Sequence, residues 1–105
     1  MREEPDIARI AILVGDPVRA NMLTALMDGG ALTASELALE AGVMMPTASS
    51  HLAKLVEGGL LTLQRQGRHR YYALSGHHVA SMLETISGVA ERVGPKRARP
   101  GPRDA

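Results

Sequence analysis

The stretch Gln64-Arg65-Gln66-Gly67-Arg68-His69-Arg70 places three arginines and a histidine side by side. A two-residue turn at Gly67-Arg68, with glycine first as a type II′ turn prefers, sets Arg65 opposite Arg70. Like charges that face each other across a hairpin are destabilising. A phosphate backbone relieves that repulsion, and each phosphate neutralised releases condensed counterions. The chemistry on offer is electrostatic binding of a polyanion; the plainer alternative is an exposed loop whose arginines splay into water. A second group precedes it. Thr47, Ser49, Ser50 and Lys54 fall on the polar side of a helix that begins at Pro46. Small hydroxyl side chains let a helix approach base edges and phosphates closely in a major groove, although an ordinary solvated face carries the same residues. Met45 cannot cap this helix, so its first N–H groups stay open to a phosphate. His51, on the same helix, reads as a structural histidine rather than a base reader.

These residues need elements to position them. Ile7, Ile10, Ala11 and Val14 recur at helical spacing and predict a first helix over 6–14. Asp16-Pro17 starts a second, with aspartate as cap and proline at the first helical position. Val18, Met22, Leu23 and Leu26 form its inner face, and Gly29-Gly30 closes it. Thr33 with Glu36 matches a capping box, opening a third helix that stops at Gly42. The Pro46 helix follows with Ala48, Leu52, Leu55 and Val56 inward, and Gly58-Gly59 ends it. Two short helices joined by Gly42-Val43-Met44-Met45 have the proportions of a helix-turn-helix.

Over 60–74 the pattern changes to period two. The turn at Gly67-Arg68 pairs Leu63 with Tyr72 and Leu61 with Leu74, all on one face of a hairpin. Ser75 is placed to cap a last helix carrying Val79, Met82, Leu83, Ile86, Val89 and Val93, ended by Gly94-Pro95. The expected fold is mainly α with a two-stranded β-hairpin wing: a winged helix-turn-helix with five helices, over residues 5–94. Residues 95–105, without periodicity and rich in Pro, Gly and Arg, read as a flexible basic tail or linker.

Composition narrows the function. The 105 residues suit one domain and contain no cysteine, which excludes disulfides, thiolate metal sites and thiol redox sensing. The net charge of +1 hides an asymmetry: residues 1–57 hold four Lys/Arg against eight Asp/Glu, and residues 58–105 hold eight against three. A basic second half suits a polyanion. No apolar run nears the roughly 18 residues of a membrane span, and no signal peptide is read at Met1-Arg2-Glu3-Glu4. A cytoplasmic protein without a membrane partner is expected. With no paired Asp/His constellation and no Gly-rich phosphate loop after a strand, an enzyme is the weakest reading, and no cofactor is expected. The first and last helices are too apolar for a monomer surface. Ile7, Ile10, Val79, Met82, Leu83 and Ile86 are therefore expected at a symmetric dimer interface, the alternative being that the last helix packs on its own core.

Several linked segments resemble one family. Gly15-Asp16-Pro17-Val18-Arg19, Glu36-Leu37-Ala38, Ser49-Ser50-His51-Leu52-Ala53-Lys54-Leu55, Gly58-Gly59-Leu60-Leu61 and Gly67-Arg68-His69-Arg70-Tyr71-Tyr72-Ala73-Leu74 look like the ArsR/SmtB winged-helix repressors, over about residues 7–93. The resemblance implies DNA-binding dimers paired through first and last helices, released from the operator by an inducer. It points to Thr47, Ser49 and Ser50 as recognition-helix contacts. It points to Arg65, Arg68 and Arg70 as backbone or minor-groove contacts, with His69 beside them. The family often has polar residues where this chain has Met44-Met45-Pro46. The family's metal sites do not carry over. Its thiolate site on the third helix falls on Ala38 and Glu40, and its site on the last helix on Gly76, His78, Val89 and Arg92, of which only His78 is a ligand type. His77 and His78, about 100° apart on a helix, do not share an ion easily. The tail is similar to the linker of longer members that continue into a second domain. The expected function is a sequence-specific, double-stranded-DNA-binding transcription regulator, a repressor acting as a homodimer on an operator, with no inducer legible. A protein-interaction module of winged-helix shape is the alternative.

Overall fold

Three of the five helices begin at a residue whose side chain caps them. In the computed structural model, which describes residues 2–98, Asp6 caps α1 (Ile7–Gly15) by accepting from the Arg9 amide at 3.1 Å. Asp16 caps α2 (Pro17–Ala25) by accepting from the Val18 and Arg19 amides. The Thr33–Glu36 capping box opens α3 (Ala34–Ala41), and Gly42 ends it in the left-handed region at φ +67°. There the Val43 amide closes back onto the Ala38 carbonyl at 3.0 Å, the αL ending that glycine permits. The helix α4 (Met45–Glu57) follows after a short turn, and α3–α4 is the helix-turn-helix.

The strands β1 (Leu61–Gln66) and β2 (His69–Leu74) pair antiparallel in the expected register: Leu61 with Leu74, Leu63 with Tyr72, Arg65 with Arg70. Gly67 has φ +64° and Arg68 does not have a positive φ, which is the pattern of a type II′ turn. The last helix, α5, spans His77–Val93. The architecture is five helices and one two-stranded hairpin, as the sequence pattern implies.

The core sits between α2, α3 and α4. Met22, Leu23, Leu26, Leu37, Leu52 and Leu55 are fully buried there, and Leu61, Val79 and Leu83 close it from the hairpin base and α5. The α1 helix has no buried residue; only Ile10, Leu13 and Val14 rest against the core.

Four expectations need correction. The α2 helix stops at Ala25 and passes into a turn, well before Gly29-Gly30, because the Leu26 and Met27 amides take three-residue bonds to Leu23 and Thr24. The α4 helix begins one residue early, so its cap position is Met44 rather than Met45. Ser75 does not cap α5. Its hydroxyl donates to the Gly59 carbonyl at 2.7 Å and its amide to Leu60, so it clasps the hairpin base, while Gly76 takes the cap position without a side-chain bond. Leu63 lies on the apolar face but is 39% exposed, because the wing leaves the core after Leu61.

Candidate nucleic-acid interface

The packing of α4 sets which residues it offers outward. Ala48, Leu52 and Leu55 recur on one side and are buried. That leaves Thr47, Ser49, Ser50 and Lys54 exposed. No side chain caps the first turn, so the positive end of the helix dipole faces solvent. In the wing every residue from Thr62 to Arg70 is exposed. Arg65 stands opposite Arg70, Arg68 is at the turn, and the rings of His69 and Tyr71 lie 6.2 Å apart on one face. The arginines are held at the exposed tip of the ribbon. Among the described residues no ion pair involves Arg65, Arg68 or Arg70. All the residues expected to meet DNA are thus on two exposed elements, one short helix and one basic hairpin.

His51 belongs to a different part of the molecule, as expected of a structural histidine. Its Nδ1 lies 3.0 Å from an Arg19 terminal nitrogen and 4.0 Å from the Asp16 carboxylate. Because the guanidinium only donates, Nδ1 accepts, and the ring proton is placed on Nε2 by this bond. Arg19 is 7% exposed. Its Nε donates to the Leu13 carbonyl at 2.7 Å and its other terminal nitrogen to the Ile12 carbonyl at 3.0 Å. A cation at carbonyls of the last turn of α1 satisfies groups that the helix leaves unpaired and opposes the negative end of its dipole. One arginine therefore ties the end of α1 to α2 and, through His51, to α4. Sequence reading missed this node. Its one signal was spacing: Arg19 sits three and four residues before Met22 and Leu23, on the inward side of α2.

The base of the wing has an anchor that was also missed. Leu32 and Tyr72 exchange both backbone bonds, at 3.0 and 2.8 Å, so the α2–α3 connection forms a one-residue third strand beside β2. This fixes the hairpin's angle to the helix-turn-helix.

The residues expected at a dimer interface divide. Val79 and Leu83 are 2% and 5% exposed and complete this chain's own core, so they do not face a partner. Their positions on α5 turn inward against α2–α4. Ile7 at 79% and Ile86 at 45% are exposed, and Ile10 and Met82 are half-buried. With Pro5 and Val14 these four line an open groove of about 560 Å³ between α1 and α5, and Val89 and Val93 extend the apolar surface along α5. Beyond α5, Arg97 donates to Asn21 Oδ1 at 2.9 Å, drawing residues 95–98 across α2. The rest of the expected tail, from Arg99, lies outside the described residues. No helix among the described residues is long and apolar enough to cross a membrane, and no cluster of His, Cys, Asp and Glu among them is spaced to hold a metal ion.

Comparison with known proteins agrees with this geometry. Residues 14–64 match the family described as a helix-turn-helix domain. The chain is 42% identical over 88 residues to the uncharacterized HTH-type transcriptional regulator YdfF of Bacillus subtilis, covering 84% of this chain but only 39% of that protein. It is 36% identical over 83 residues to the HTH-type transcriptional regulator CmtR of Mycobacterium tuberculosis, covering 79% of this chain and 69% of CmtR. Among solved structures it is similar to the homodimeric winged helix-turn-helix domain of Mb0332 from Mycobacterium bovis, described as a possible ArsR-family regulator. That likeness has a TM-score of 0.77 at 25% identity and covers 93% of this chain and 97% of that one. The sequence segments, the hairpin register and these relatives converge, and the chain belongs to the ArsR/SmtB family of winged helix-turn-helix DNA-binding transcription regulators.

Proposed function

We propose that this chain is a cytoplasmic repressor that binds a specific operator in double-stranded DNA as a homodimer, by binding alone and without catalysis or a cofactor. The observation that carries the reading is the pairing of an exposed hydroxyl-bearing helix with an exposed arginine hairpin whose Arg65 and Arg70 face each other. In this reading Thr47, Ser49 and Ser50 meet base edges, and Lys54 meets a phosphate. Arg65, Arg68, His69 and Arg70 straddle the backbone or enter the minor groove. Residues 5–94 form the DNA-binding and dimerisation unit, and 95–105 the basic linker. The homodimeric Mb0332 domain supports pairing as such, and the open apolar groove between α1 and α5 offers the surface, using Ile7, Ile10, Met82 and Ile86. The two recognition helices then lie about one helical turn of DNA apart, roughly 34–36 Å centre to centre.

The test titrates variants on an operator duplex and on random duplex at several salt concentrations. Arg65→Ala, Arg68→Ala or Arg70→Ala weakens both DNAs and makes the salt slope shallower by about 0.9 per lost phosphate contact. Ser49→Leu or Ser50→Leu costs operator affinity and leaves random DNA near wild type. The opposite division reverses the roles, and variants that change neither binding leave the protein-interaction module as the function.

A further inference from the structure

We infer that Met44 and Met45 set part of the operator sequence by packing against thymine 5-methyl groups at the front of α4, a step that rests on the reading of α4 as the DNA-reading helix. Met44 is 77% exposed and Met45 44%, and Pro46 behind them is exposed as well. Three apolar residues in succession thus lead the helix into solvent, continuous with Thr47. The N-terminal residues of a recognition helix are the ones that reach base edges in the major groove.

The start of α4 favours this use over a structural one. The three preceding helices begin at Asp6, Asp16 and Thr33, each of whose side chains accepts a first-turn amide. At Met44 that stabilising bond is absent, although Ser, Thr, Asp or Asn there would supply it. Nor do the methionines fill the chain's own core: the buried face of α4 is made by Ala48, Leu52 and Leu55. A thioether is at best a weak acceptor and does not donate, so it does not read the hydrogen-bonding pattern of a base pair. The apolar feature that the major groove presents is the C5-methyl of thymine. An unbranched, flexible side chain adapts its shape to such a group. The occupant that fits is therefore a thymine-bearing step in each half-site.

The full chain tests this against a random-sequence duplex pool. After selection, each thymine of an enriched duplex is replaced in turn by deoxyuridine, which removes only the methyl. Affinities are measured for the wild type, Met44→Ala, Met45→Ala and the double variant. The wild type loses about fourfold at one thymine or more per half-site, and about fifteenfold when both half-sites are changed. The double variant binds thymine and uracil duplexes alike, while its circular dichroism and melting temperature match the wild type, which shows that it is folded. Wild-type indifference to every such replacement overturns the inference alone, as does a double variant that keeps the thymine preference. A pool in which nothing is enriched, with no retention of random duplex at low salt, overturns the DNA reading of α4 and this inference together.

Discussion

Removing the guanidinium of Arg19 should unfasten α1 without opening the core. The substitution Arg19→Met keeps an apolar stem and deletes three bonds: to Leu13 at 2.7 Å, to Ile12 at 3.0 Å and to His51 at 3.0 Å. Bonds from a charged donor contribute about 1.5–3 kcal/mol each. The lower figure applies here, because Ile12 is exposed and water reaches its freed carbonyl. Three bonds at that figure come to about 4.5 kcal/mol, reduced by hydration to a net loss of about 3 kcal/mol. In a domain of this size 1 kcal/mol moves the melting temperature by about 4–8 °C, so a fall of roughly 12–24 °C is expected. His51→Ala removes one of the three bonds and should cost about 1 kcal/mol. In the double variant that bond is lost only once, so a cycle of the two changes should show a coupling of about 1 kcal/mol. Thermal melts at one fixed protomer concentration read all four proteins, since association shifts apparent stability. A melting temperature for Arg19→Met within about 3 °C of wild type refutes the grip on α1. Additive effects of the two changes refute the Arg19–His51 bond.

The split burial of α5 predicts opposite failures for two neighbouring changes. Ile86→Asp, on the exposed side, should give a folded monomer by sedimentation, whereas Leu83→Asp, 5% exposed, should unfold the chain by circular dichroism. A Cβ at Gly58 would collide with Leu13 Cδ1 and press on the Lys54 carbonyl at 3.1 Å. Gly58→Ala should therefore lower stability by about 1 kcal/mol in urea unfolding, with no effect meaning that Leu13 moves aside freely. Zinc, nickel, cadmium and arsenite should leave DNA binding unchanged at stoichiometric levels. This is expected of a chain without cysteine that carries Gly76, Val89 and Arg92 where metal-sensing members place ligands. A tight one-per-subunit site by calorimetry, coupled to DNA release, would show otherwise.

What could be read from the sequence was decided locally. Asp16-Pro17, Thr33 with Glu36, Gly42 and Gly67-Arg68 each fix their own turn or cap within about four residues. The structure places all of them as their chemistry dictates. The hairpin register followed because the turn fixes every pair beyond it. What was not legible joins distant segments. Nothing near Arg19 announces His51, 32 residues on, and nothing near Leu32 announces Tyr72. Alternation at Leu61 and Leu63 assigns a face correctly but carries no information about depth, which depends on where the wing leaves the helices. For the same reason the apolar stripe of α5 looked like one surface. Helical period places Val79 and Leu83 near Ile86, and only the position of α2–α4 decides that the first two are core while the third is free.

These misses meet at α1. It buries no side chain completely, yet it supplies half of the groove proposed for the partner. Besides the packing of Ile10, Leu13 and Val14 on the core, three specific attachments hold it: the Arg19 bonds at its last turn, the Arg9 bond to the Gly58 carbonyl at 3.3 Å, and the close approach of Leu13 to Gly58. Two of these three reach the end of α4, and the other reaches α4 through His51. These contacts join α1 to α4 directly, so in the proposed dimer a partner subunit against Ile7 and Ile10 would act on α4 through a short path. In the proposed dimer, pairing and the angle of the proposed reading helix would then be coupled in one direction and its reverse. A variant that loosens α1, such as Arg19→Met, should lose operator affinity beyond what its fraction of unfolded protein explains. Titration well below the melting temperature measures this directly, and an affinity equal to wild type there would mean that α1 only stabilises the fold.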